Sequence, residues 1–215
     1  MELMIDYLAR FGHVLFGIVW IGLLYYFNFV QTEYFKIADA DARVDAFSKL
    51  VPNALWWFRY GALLTFLTGL VLLYNRHSGL TTDIVIGATL GTLMFLNVWG
   101  IIWRNQKVVI ASNQSVAAGG EPDPAAAAAA PKAALASRTN TLFSIPMLYF
   151  MGSSAHYNSG SMSSNATAIW VCLAIIAALE INAIMGKQGP MTTVRGVIIC
   201  GFALNLILVG IVQIL

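Results

Sequence analysis

Three histidines, His13, His77 and His156, are the only imidazoles among 215 residues, and His13 lies within an apolar run. That run, LARFGHVLFGIVWIGLLYYFNF, begins at Leu8. An ionisable side chain inside such a stretch is costly and is a functional candidate by default. Imidazole is a ligand for haem iron, copper and zinc. Gly12 and Gly17 flank His13, which clears side-chain bulk for a flat macrocycle. His156, in SSAHYNSGSMSSNA, closes a shorter and more polar run, and His77 follows Arg76 in the turn NRHSGLTTD. His13 and His156 are therefore the candidate ligands of a b-type haem. His13, His156 and His77 form the alternative set for a copper ion. Blander roles stay open: His13 hydrogen-bonding a neighbouring helix, His156 at a membrane interface, His77 in solvent.

A second constellation is cationic and acidic. Arg59, in LWWFRYGALLTF, and Glu180, in AIIAALEINAIMGK, lie at matched depths in two different apolar runs. Each charge alone costs about 2.5–3.5 kcal/mol at a helix centre on insertion scales. An Arg59–Glu180 pair is the simplest expectation, with Asn97 and Asn140 completing a buried polar network. Such a network fixes helix packing. Alternatively it makes Arg59 an anion site or the partner of a haem propionate, and Glu180 a proton carrier. Arg59 could also snorkel to the interface.

The elements that must position these groups follow from composition. Hydrophobic residues make up 59% of the chain and charged residues 10%, against roughly 25% charged in soluble domains. So few charges cannot cover a soluble surface, and the expected class is an all-α polytopic membrane bundle embedded in a lipid bilayer. A net charge of +2 gives no reason to expect nucleic acid as a partner. Both cysteines, Cys172 and Cys200, lie in apolar runs, so no disulfide framework is expected, and no Cys-x-x-Cys-His for a covalent haem occurs. The amino terminus lacks a basic n-region and a small-residue cleavage site, so the first run reads as a retained helix.

A membrane span needs about 20 mainly apolar residues. Spans are predicted at about 8–29, 54–74, 84–103, 141–157, 166–185 and 194–215, giving a single domain of six helices over 1–215. The fourth span is the shortest and contains Pro146. Residues 111–139, rich in alanine and broken by Pro122, Pro124 and Pro131, read as a low-complexity linker, mobile or partly helical at the surface. The first, third and fifth connections hold Lys36, Arg43, Lys49, Arg104, Lys107, Lys132, Arg138, Lys187 and Arg195. The opposite side holds only Arg10 and Arg76. The positive-inside rule then makes the linker cytoplasmic and both termini periplasmic in a bacterial inner membrane. His13 falls about 7 Å below the periplasmic edge at 1.5 Å per residue, on the same side as His77 and His156. Gly87 and Gly91 form a Gly-x-x-x-Gly suited to close helix contact, within the chain or between subunits.

The blocks GHVLFGIVWIGLLYYFNFVQTEYF, WWFRYGALLTFLTGLVLLY and SRTNTLFSIPMLYFMGSSAHY resemble, in order, the amino-terminal membrane domain of the bacterial membrane-bound urate oxidases. The first block is also similar, more distantly, to haem-binding membrane protoporphyrinogen oxidases and copper-resistance D-type proteins. The urate oxidase resemblance implies a multi-helix membrane domain preceding a periplasmic cytochrome c. The chain is shorter than that family's usual domain, so a truncated member is expected, with a separate electron acceptor. Three functions stand: a redox protein holding b-type haem and reducing a periplasmic cytochrome c, in its enzyme version a urate oxidase-like oxidoreductase; a non-catalytic accessory subunit of a larger membrane complex; and a copper-binding or copper-transport protein.

Overall fold

The computed structural model describes residues 2–76, 79–157 and 159–215, and His77 lies outside the described residues. Six long helices carry the chain: α1 (Leu3–Ile37), α2 (Ala40–Tyr74), α3 (Thr82–Ala117), α4 (Ala125–His156), α5 (Ala166–Met185) and α6 (Val194–Ile214). No strand occurs among the described residues; the loops before α3 and after α4 meet in one isolated bridge, Thr81 to Ser161. All but α4 are long and apolar enough to cross a membrane. The protein is an all-α, multi-pass membrane bundle.

Local chemistry sets the helix ends and bends. Thr81 and Thr193 cap α3 and α6, their hydroxyls accepting from the Ile84 and Gly196 N–H groups. Pro52 removes a backbone donor from α2, and a π-helical turn at Ala46–Leu50 stands directly before it. Similar π turns, Tyr26–Gln31 and Val98–Ile102, interrupt α1 and α3 next to buried Asn28 and Asn97.

Helix α4 is the hub, packing on α1, α3, α5 and α6. Its segment SRTNTLFS puts Arg138, Thr139, Asn140, Thr141 and Ser144 in the protein interior. This explains why α4 lacks the apolarity of a lipid-facing span: its neighbours, not lipid, satisfy its polar groups. Tyr25 and Ser144 hydroxyls bond at 2.9 Å, and Asn28 donates to Ser137 at 2.8 Å. By contrast Ile18, Leu67, Trp170, Phe202 and Leu206 are exposed, as lipid-covered faces are.

The segment 111–139 is not a linker over most of its length. Residues through Ala117 continue α3, and α4 starts at Ala125. Alanine is the best helix former, and its small side chain lets Ala129, Ala133 and Ala136 bury against neighbouring helices. Pro122 and Pro124 fall where the chain turns, and Pro131 is carried inside the helix. The turn is stitched to α3: Ser112 accepts from the Asp123 N–H at 2.9 Å, and Ser115 donates to the Glu121 carbonyl at 3.0 Å. Arg138, counted above as a loop charge, is only 4% exposed. With 35 residues, α1 is roughly 52 Å long against a hydrocarbon thickness of about 30 Å. The excess of α1 to α4 projects at the end carrying most Lys and Arg, called the basic end below; His13 and His156 lie toward the other, the histidine end.

Small residues close the helix pairs within the chain. A Cβ at Gly61 would sit 3.2 Å from the Trp20 N and 3.4 Å from the Phe16 carbonyl, so α1 and α2 touch backbone to backbone. At Gly87 the same atom would sit 3.3 Å from the Met151 N, so this half of the Gly-x-x-x-Gly serves α3–α4 packing. Gly61→Leu is expected to cost about 1–3 kcal/mol by overpacking, read as a lower unfolding midpoint in SDS-containing micelles. Gly100→Ala, with nothing within 4 Å of the added atom, should leave it unchanged.

Candidate cofactor-binding cavity

At the histidine end, α1, α2, α3 and α4 line a cavity of about 780 Å³ that opens onto the bundle surface. Its walls are mostly apolar, from residues such as Val14, Ile21, Leu73, Ile84 and Met147, and both His13 and His156 line it. Binding cavities typically span about 300–1,000 Å³ with few polar groups, so the size suits an organic cofactor.

His13 is half-buried, and its Nδ1 lies 2.9 Å from the Thr65 carbonyl and 3.3 Å from the Thr68 hydroxyl. A carbonyl oxygen only accepts, so Nδ1 carries the hydrogen, and in the neutral ring Nε2 keeps its lone pair. Metal-bound histidines are held in this way by a second hydrogen bond that fixes tautomer and ring plane. Gly69 makes the arrangement fit: a Cβ there would lie 3.1 Å from His13 Cε1. Of the glycines beside His13, Gly17 lines the cavity, whereas Gly12 faces Thr68 on α2 at 3.3 Å and serves packing. His156 is the last residue of α4, exposed at the cavity rim.

The rim is held by the loop beyond α4. Buried Asp83, in the first turn of α3, accepts from the Ser159 N–H at 2.6 Å and from the Ser153 hydroxyl. The Thr82 N–H donates to the Gly160 carbonyl at 3.1 Å, and the Met162 N–H to the Leu80 carbonyl at 2.9 Å. Arg76, also lining the cavity, donates through Nη2 to the Ser154 carbonyl at 3.4 Å. Its Nη1, like the Trp20 Nε1 in the cavity wall, is buried without a partner.

The second constellation separates. Asn97 Nδ2 donates to Asn140 Oδ1 at 3.0 Å and to Glu180 Oε2 at 3.1 Å, and Asn140 donates to the Met94 carbonyl at 2.9 Å. This chain ties α3, α4 and α5. Arg59 is not part of it, and the expected ion pair with Glu180 is not formed. The Arg59 guanidinium lies 3.2 Å from the Trp103 ring centroid, with Trp99 and Tyr60 at 5.7 and 5.8 Å, and its Nε donates to the Leu55 carbonyl. Aromatic faces meet the charge instead of a carboxylate. Arg59 does not line the cavity. Asn97→Leu should lower stability by about 0.6–1.7 kcal/mol, the range for interhelical hydrogen bonds in membranes, while Glu180→Gln, which keeps the acceptor, should leave the unfolding midpoint in place.

Among the described residues, no three His, Cys, Asp or Glu side chains gather as a metal site. The residues sequence reasoning missed are Thr65, Gly69, Trp20 and Asp83, and Arg76 was read only as a loop charge. Gly61, Thr65 and Gly69, spaced by four on α2, were a readable signal: a stripe of small residues facing α1.

Fold and site together define a polytopic membrane protein with a histidine-lined cavity between its first four helices. Residues 75–204 match the family described as urate oxidase N-terminal, more than half of the chain, and the protein belongs to that family. The match takes in Arg76, Asp83, Asn97, Asn140, His156 and Glu180. No curated protein and no solved structure matches the chain.

Proposed function

We propose that this protein is the membrane redox module of a urate oxidase-type system, holding a b-type haem in the cavity and passing electrons to a periplasmic cytochrome c. The observation that carries the reading is His13 in the cavity wall, its Nδ1–H engaged by the Thr65 carbonyl and its Nε2 lone pair left for a ligand bond. His156, lining the same cavity at its rim, would be the second residue to hold the iron. Two histidines suffice for haem, whose macrocycle brings four nitrogens of its own. The bound haem would supply one-electron chemistry. Thr65 and Gly69 fix the imidazole plane, and the apolar walls exclude water from the porphyrin. Membership of the urate oxidase family supports urate as the source of electrons. The bilayer of a bacterial inner membrane, with both termini periplasmic, is the setting that the Lys and Arg distribution supports.

The test is metal analysis and a pyridine haemochrome spectrum of protein purified in mild detergent. One iron per chain with b-type bands is expected. Copper in place of iron, or a metal-free and colourless protein, would overturn the haem reading and favour the copper or accessory-subunit function respectively.

A further inference from the structure

The cavity holds a cation whose charge no carboxylate among the described residues answers. No Asp or Glu lines it. Arg10, the other arginine on its wall, is paired with Asp6 at 2.6 Å. Arg76 makes no ion pair among the described residues. Of the two terminal guanidinium nitrogens, Nη2 reaches the Ser154 carbonyl at 3.4 Å, and Nη1 is buried with no acceptor among the described residues. A buried donor on a charged group is costly when left unmet. A guanidinium is a rigid fork matched to a planar anion such as a carboxylate.

We propose that Arg76 is the anion-holding residue of this cavity, binding the acidic edge of a planar ligand whose body lies between the apolar walls toward His13. The proposal deepens the haem reading and rests on it for one of its two ligand sources. Arg76 follows Gly69, the residue against which His13 lies, by seven positions, close to two helical turns or roughly 10 Å toward the histidine end. A planar cofactor ligated at His13 thus meets a cation at its outer edge, where acidic substituents stay nearest to water. The ligand chemistry is a flat apolar or aromatic body with an anionic group. Haem with its propionates satisfies it, and so does a small heterocyclic anion of the urate type. Arg59, at the basic end, has its charge on Trp103 and is not available to this cavity.

The test compares protohaem IX with its dimethyl ester, in which both propionates are masked, by titration into the purified full chain in detergent micelles. Urate is titrated in parallel. The wild-type protein should bind protohaem roughly tenfold or more tightly than the ester. Arg76→Gln should weaken protohaem to the level of the ester and leave the ester unchanged, and Arg76→Lys should recover part of the difference. His13→Ala should weaken both porphyrins alike. Equal affinities of the wild type for protohaem and ester would overturn the assignment, even if Arg76→Gln fails to fold. So would a difference that persists in a folded Arg76→Gln. If neither porphyrin binds the wild type, the haem reading fails by itself. Urate binding that Arg76→Gln weakens and Arg76→Lys restores would then keep the anion site, and urate binding that is absent or indifferent to Arg76 would remove it.

Discussion

On the proposed haem reading, His13→Ala is expected to lower the b-type band of the dithionite-reduced protein by roughly tenfold or more, since even residues that only orient a metal ligand alter affinity by about 10–100-fold. The fold should survive, because His13 contributes little to holding α1 and α2 together beyond one hydrogen bond to Thr65, worth about 1 kcal/mol. The close Gly61 contact and the packing around Trp20 hold that pair without it. Two further variants separate ligation from packing. Gly69→Val leaves the imidazole in place chemically but pushes on its Cε1 face, so it should weaken haem binding less than His13→Ala does. Added imidazole should restore the band in His13→Ala, since the missing side chain leaves a gap of the same shape. An unchanged band in His13→Ala, or no rescue by imidazole at any concentration the protein tolerates, would remove His13 as the ligand.

What was legible beforehand was whatever depends on local composition. The apolar runs of α1, α2, α3, α5 and α6 give the membrane class and the helix order directly. His13 stands out because an imidazole in such a run needs a reason. Helix α4 is harder, because a central helix is judged by its protein neighbours and not by lipid. SRTNTLFS looks like a weak span until Tyr25, Asn28 and Asn97 are seen bonded to it. The alanine tract misleads for a related reason. Low complexity suggests a linker, yet alanine is both a strong helix former and small enough to bury. The Arg59–Glu180 expectation failed because matched depth along two helices says nothing about which faces meet. Trp103 and Trp99 supply the partner that a carboxylate was expected to be.

Asp83→Ala should be among the most destabilising single changes at the histidine end. Asp83 is 1% exposed, and its carboxylate is filled from the last turn of α4 and from the loop after it. One oxygen accepts from the Ser159 N–H at 2.6 Å, the other from the Ser153 hydroxyl. It also stands in the first turn of α3, where the helix dipole favours a negative charge. Hydrogen bonds to charged groups are worth about 1.5–3 kcal/mol each, so losing two costs about 3–6 kcal/mol if the loop stays in place. Relaxation of the loop and entry of water bring the expected loss nearer 3 kcal/mol. Asp83→Asn should cost less. Its remaining oxygen can take the Ser159 N–H while its amide donates to Ser153, whose hydroxyl then turns fully to the Phe150 carbonyl, already 3.3 Å away. The expected order of unfolding midpoints is therefore wild type, then Asn, then Ala. Ser153 lies one turn before His156, so hydrogen exchange should quicken in Asp83→Ala both around Ser159 and over the last turn of α4. Faster exchange confined to α3 would mean that Asp83 only caps its own helix, and the loop that carries the cavity rim is held by something else.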